Sequence, residues 1–288
     1  DITVQGGIGT AEEDKFLLRY YEVDGTGWAT PFLLVPETTN VDDEHLEKLA
    51  SATEDDVILS DSSPLSIPFW NLRNSAAEQA RRRRIDEGRP GSACPKCHAR
   101  LNTEFTDVPI CISSRSYQKH KLQELDEESE TVDPLSEERE QVTVKSCICH
   151  DLAGGATVKH GIDPDATPAI CPGPGIVDFA KVATLEEMVG HILGRLSLLA
   201  NPDRPHMFIR ELRLYVEHLR QETEKLAAGV SPRSLDYISQ FKENLLNGID
   251  YYRGLAEEFV DHERNRFLNQ LEQLQNTVEP MLLVAAEC

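Results

Sequence analysis

The chain is short of positive charge. Its 288 residues carry 29 Lys and Arg against 50 Asp and Glu, a formal net charge of −21. Nonspecific binding to DNA, RNA or anionic membranes is thereby disfavoured, because all of these are polyanions. No stretch approaches the roughly 18 apolar residues of a membrane span. No basic, apolar, small-residue signal segment opens the chain either, which points to a cytoplasmic protein. Internal repeats are absent. The first residue is Asp1 and not Met, and the text opens directly on an apolar run, as if cut from something longer.

What is present suits a soluble globular protein. Hydrophobic residues make up 40% and charged residues 27%, too apolar for a wholly disordered chain. At about 100 to 200 residues per domain, the length allows two cores.

Four regions differ in texture. In residues 1–36, Ile2-Thr3-Val4 is β-prone, Gly6-Gly7-Ile8-Gly9-Thr10 is a turn, and Thr10 caps a helix over Ala11–Tyr21 with Glu12 and Glu13 in its first turn. Gly25-Thr26-Gly27-Trp28 then leads into Phe32–Val35, which reads as a strand closed by Pro36. Residues 37–90 are a mixed linking segment: a helix over Asp42–Ala52, a strand at Val57–Leu59, an extended stretch over Ser62–Phe69, and a helix over Ala76–Glu87 carrying Arg81–Arg84. Residues 91–180 are Cys-rich and expected to be irregular, with a solvated charge run over Glu124–Glu140 and a proline-rich loop over Asp163–Gly175. Residues 181–288 are helical. Thr184 caps a helix with Met188 and Ile192 at helical spacing, Phe208, Leu212, Val216 and Leu219 mark another, and Ser231-Pro232 begins a third. A helical bundle follows, and it is the expected surface for any self-association.

Gly6-Gly7 after a strand and before a helix is an arrangement that can hold phosphate, since glycine admits an anion to backbone N–H groups and the helix N-terminus is partly positive. A tight turn uses the same residues. Two consecutive β/α units with glycine-rich loops match the last two units of a (β/α)₈ barrel, where such loops form a phosphate site.

Val4-Gln5-Gly6-Gly7-Ile8-Gly9-Thr10 followed by Gly25-Thr26-Gly27-Trp28-Ala29-Thr30-Pro31-Phe32 resembles the closing section of FMN-dependent barrel oxidoreductases, among them the nitronate monooxygenases and the synthase domain of glutamate synthase. The resemblance covers residues 2–35. It implies that Gly6, Gly7, Gly27 and Trp28 hold the flavin phosphate and that a small molecule is oxidised or reduced. A whole barrel needs about 250 residues, so the expected fold class is α/β plus α: the last two units of such a barrel, a Cys-rich irregular region and a helical bundle. Catalytic residues of those enzymes lie on earlier strands, and none is assigned here.

The cysteines carry the other chemistry. Without a secretory signal, Cys94, Cys97, Cys111, Cys147, Cys149 and Cys171 point to thiol or metal sites before disulfides. Cys94-Pro-Lys-Cys97 is a typical half-site for zinc, and Cys147-Ile-Cys149 with His150 offers further donors. Cys171-Pro172 suits an iron–sulfur cluster, for which Cys111 would be another ligand, and glutamate synthase is similar in carrying cluster cysteines after its barrel. Zinc, iron–sulfur and buried unliganded thiols all remain open. Thiolate catalysis would need His98 or His150 as base. The competing functions are a zinc-stabilised interaction module without activity and a barrel whose loops hold another phosphorylated ligand.

Arg81–Arg84 balances nearby acids on an exposed helix. His191 with Arg195, and His206 with Arg210, are expected at polar rims, and Arg204-Pro205-His206 at a helix start could reach an anion.

Overall fold

Strand β1 (Thr3–Gln5) runs parallel to β2 (Gly25–Gly27), with Thr3 opposite Gly25 and Gln5 opposite Gly27. Parallel strands need a crossover, and helix α1 (Ala11–Tyr20) supplies it. The Thr10 hydroxyl accepts from the Glu13 amide at 3.1 Å, capping the helix as its sequence requires. Phe16 and Leu17 are buried on its inner face. This computed structural model describes residues 1–128, 137–179, 181–227, 233–259 and 261–281. It divides into two compact units, one of Asp1–Gly6 with Thr10–Asn201 and one of Gly7–Gly9 with Pro202–Cys288.

The strand expected at Phe32–Val35 is instead a 3-10 helix over Thr30–Leu34. Pro31 explains the difference: its fixed φ suits a helical start, and it has no N–H to give a sheet. Leu34 and Val35 are completely buried there. They join Leu49 of α2 (Asp43–Ala50), Ile176, Phe179 and Met188 in the main core of the first unit. Each such fully buried aliphatic side chain contributes about 1.5–3 kcal/mol. Strands β3 (Val57–Ser60) and β4 (Phe69–Leu72) form an antiparallel pair with Val57 opposite Leu72. Among the described residues these two small sheets do not form a barrel.

Helix α3 (Ala76–Asp86) is locked at its start. Ser75 caps it, and the buried His45 ring bridges Asp42, at 2.9 Å from Nδ1, and the Ala76 amide, which donates to Nε2 at 3.1 Å. Glu78 lies inside and is gripped by Arg81 and Arg82, the latter at 3.3 Å. The arginine run is therefore divided: Arg81 and Arg82 neutralise one buried carboxylate, whereas Arg84 turns inward and donates to Ser92 Oγ at 3.4 Å.

The Cys-rich region is more helical than its composition announces. It holds α4 (Arg115–Glu128), α5 (Glu137–Thr143) and α6 (Ile148–Lys159). Part of the expected charge run, residues 129–136, lies outside the described residues. Gly154-Gly155 looks unfavourable inside α6, since glycine costs about 1 kcal/mol against alanine in a helix. The contact explains it: a Cβ on Gly154 would sit 2.8 Å from the Pro168 Cα, and one on Gly155 would sit 3.2 Å from the Asn40 carbonyl oxygen. Helix α7 (Leu185–Ile192) begins in a capping box in which Thr184 accepts from the Glu187 amide and Glu187 from the Thr184 amide. It belongs to the first unit.

The second unit is the expected bundle. Helices α8 (Met207–Ala227), α9 (Leu235–Leu255) and α10 (Asp261–Val278) pack pairwise. Ile209, Leu212, Val216 and Leu219 are buried along one face of α8, as are Ile249 of α9 and Leu271 of α10. Ser231-Pro232 lies outside the described residues, and the cap of α9 is Ser234, whose side chain accepts from the Tyr237 amide. Among the described residues no helix is long and apolar enough to cross a membrane.

Two substitutions test this account. Gly154→Ala should destabilise by about 2 kcal/mol in denaturant unfolding, against the sign of helix propensity, because Pro168 backbone blocks the methyl. Burial alone would raise the Glu78 carboxyl, but the Arg81 and Arg82 guanidiniums outweigh it and hold it below the usual carboxylate range. A depressed folded value stabilises above the unfolded pKa and is lost as pH falls through the folded one. Glu78→Gln should therefore destabilise by about 1 kcal/mol at pH 7, allowing for solvent screening. The gap to the parent should close on acidification below about pH 4.

Candidate functional site

One glycine loop, Gly6-Gly7, stands at the carboxyl end of β1, whereas Gly25-Thr26-Gly27, expected as a second loop, is itself strand β2. Directly after β1, Gly6 and Gly7 take φ of +95° and +75°, the left-handed region that a β-carbon disfavours. A Cβ at Gly6 would meet nothing within 4 Å, so the loop is open there. Gly27, at the end of β2, is crowded: a Cβ would lie 2.5 Å from Gln5 Cγ on the paired strand.

Trp28 follows, and its indole N–H donates to Asp14 Oδ1 at 3.3 Å. The Thr26 hydroxyl donates to the same oxygen. One carboxylate of α1 thus holds the loop after β2 in place, a role that no spacing in the sequence signals. The Trp28 ring meets the His191 ring edge-on at 6.0 Å, and Phe179 meets His191 at 5.3 Å. His191 is buried, and its Nδ1 accepts from the Leu198 amide at 3.2 Å. It is an interior residue and not the polar rim expected from its helical spacing, because the chain turns back beyond α7 and covers it.

Within the second unit, the Arg204 guanidinium donates to the Gly7 carbonyl at 3.3 Å. A Cβ on Gly9 would fall 2.7 Å from Arg204 Cζ. Gly9 is thus the residue that admits this arginine, which is only 4% exposed. His206 does not form a rim either; it packs among Phe208, Phe259 and Phe267 at 5.0–5.4 Å.

The cysteines divide. Cys94, Cys111 and Ala99 form a small buried cluster with Cys149 packed on it. Cys147 is close enough to Cys94 and Cys149 for their charges to influence its ionisation. Cys94 and Cys97 both have left-handed backbone, φ +56° and +62°, and the Cys97 thiol reaches the Cys94 carbonyl at 3.3 Å. Such a knuckle turn is strained for non-glycine residues. Cys171 stands apart, beside the Trp70 and Gly173 backbone. Among the described residues, no three His, Cys, Asp or Glu side chains converge as a metal-holding group.

Among the described residues, His150 forms no thiol–imidazole dyad. His150 Nε2 faces Asp163 at 2.9 Å and Nδ1 faces Asp151 at 3.4 Å, so both ring nitrogens address carboxylates. Asp151 is buried beside Ser146 and Thr167, and that burial raises its carboxyl above the usual range against the pull of His150. Burial likewise pushes the Cys147 thiol up to about 12. A thiol held protonated at neutral pH is a poor nucleophile.

Comparison of the chain with protein-family models, curated proteins and solved structures returns no match.

Alkylation kinetics test the thiol environments. In metal-stripped native protein at pH 7.5, iodoacetamide should modify the exposed Cys97 at least about tenfold faster than Cys147. Peptide mapping by mass spectrometry would read both rates. Equal rates would refute the burial of Cys147.

Proposed function

We propose that this chain is the closing portion of an FMN-dependent (β/α)₈-barrel oxidoreductase acting on a small molecule and carrying a thiolate metal site. The observation that supports it is the β1–α1–β2 unit: two parallel strands joined by a helix, the first followed by the Gly6-Gly7 loop and the second ending at Gly27. Parallel sheets bind anions at that end of their strands, and neither strand face is deeply buried by the two strands alone. Gly6, Gly7 and Gly27 would offer backbone N–H groups to the flavin phosphate, and Trp28, fixed by Asp14, would wall the site. The open space at Gly6 fits such a ligand. Flavin supplies hydride and electron transfer; the protein's part is binding, orientation and exclusion of water.

No three donors converge among the described residues, so a metal would have to draw Cys94, Cys97 and Cys111 together, with Cys149 or Cys147 as fourth ligand. Cys171 takes no part in that group. Four thiolates suit zinc or an iron–sulfur cluster, and metal would displace the proton that burial favours on Cys147. Free thiols fit a cytoplasmic setting, and the exposed Tyr215, Tyr237 and Tyr251 of α8 and α9 give the bundle a surface for self-association.

The knuckle geometry favours a second reading, a zinc-stabilised interaction module in which the metal is purely structural. A visible spectrum with metal analysis separates the two. Flavin retained by the protein, lost on replacing Gly7 with Val, supports the oxidoreductase. A colourless protein with one zinc per chain overturns it in favour of the module. A protein with neither refutes both.

A further inference from the structure

We propose that a pocket between the turn at residues 88–91 and helix α4 binds a small anion carrying a diphosphate group. The pocket holds about 480 Å³, within the range of small-molecule sites. Four cations line it, Arg89, Arg115, Lys119 and Arg139, against one carboxylate, Asp126. In a chain with a net charge of −21 this is a local reversal of sign. Like charges brought together repel, so the arrangement calls for an anion between them.

The backbone builds the pocket deliberately. Gly88 turns the chain at φ +67°, and Gly91, at φ +87°, lets it press on the start of α4, where a Cβ would lie 2.7 Å from Arg115 backbone. The Ser92 amide donates to the Ser113 carbonyl and the Arg115 amide to the Ser92 carbonyl, each at 2.9 Å. These contacts fix the turn against the helix face on which Arg115 and Lys119 lie one turn apart. Arg139 of α5 is paired with Asp126 and Arg89 with Glu87. Arg115 and Lys119 have no acidic partner among the described residues. Arginine grips phosphate oxygens in pairs and lysine adds a point charge, so several separated cations match a ligand with more than one phosphate. Leu122 adds an apolar patch for the remainder of such a molecule.

The site is independent of the Gly6-Gly7 loop, and its failure leaves the flavin reading standing. Calorimetric titration of the full chain with inorganic pyrophosphate and with ADP, at about 50 mM salt, tests it. Saturable one-site binding of either is expected with Kd below about 1 mM. The exposed pair Arg115→Ala/Lys119→Ala should weaken it at least about tenfold at unchanged melting temperature, with Arg253→Ala on the bundle as a control that binds normally. Asp126→Asn, which removes the competing carboxylate, should tighten binding. Absence of saturable binding by both anions, or equal weakening in the Arg253→Ala control, would overturn the proposal.

Discussion

The contact of Gly154 with Pro168 governs where the chemistry of the first unit is placed. Residues 168–170 are stitched into the core by main-chain bonds: the Ala77 amide donates to the Pro168 carbonyl, the Leu72 amide to that of Ile170, and the Ala169 amide to that of Asp151. Helix α6 can press on this segment only because Gly154 has no side chain. Its first turn carries Cys147, Cys149, His150 and Asp151. The position of Cys147 and Cys149 near Cys94 and Cys111 therefore follows from a backbone approach five to seven residues further along the helix, about 7 to 10 Å away at about 1.5 Å per residue.

Charge is managed by the same economy of contact. The chain is acidic, yet its interior groups are arranged in small closed sets: Asp42 with His45, Glu78 with Arg81 and Arg82, and Asp151 with His150. Removing one member of a set would leave a buried group unpaired, and for the Asp42–His45 pair it would also loosen the start of α3. His45 illustrates this, since a single ring on the first turn of α2 completes the start of α3.

Legibility from sequence tracked the kind of signal available. Helices with caps or apolar periodicity, α1, α7 and α8, were readable because Thr10 and Thr184 do locally what capping chemistry requires, whereas the cap role of Asp42 at α2 comes from the structure. Phe32–Val35 misled because a four-residue apolar run fits a buried strand or a buried 3-10 turn equally, and only the effect of Pro31 separates them. Helices α4 and α6 were obscure: one is polar throughout, the other contains two glycines whose value lies in a tertiary contact. Likewise the arginine run at 81–84 attracts the eye, whereas the cations that converge in space are scattered over residues 89–139. The Gly6-Gly7 loop was legible, but Gly25-Thr26-Gly27 proved to be strand, and the roles of Asp14 and of buried His191 come only from the fold.

The thiol region poses a sharper physical problem. Leu101 and Val108 are 74% and 69% exposed, so the segment around them has no ordinary core. Its buried centre is two thiols and the methyl of Ala99, with Cys149 against it. Ordering each residue costs about 1–2 kcal/mol, while a few small side chains return little at about 25 cal/mol per Å². The contacts of Phe105 with Tyr117 and of Glu104 with Lys121 tie the segment to α4 but lie at its margin. Left-handed backbone at both Cys94 and Cys97 adds strain to the account. Under the proposed reading, a metal shared among the thiols would offset such terms without needing an oxidising compartment.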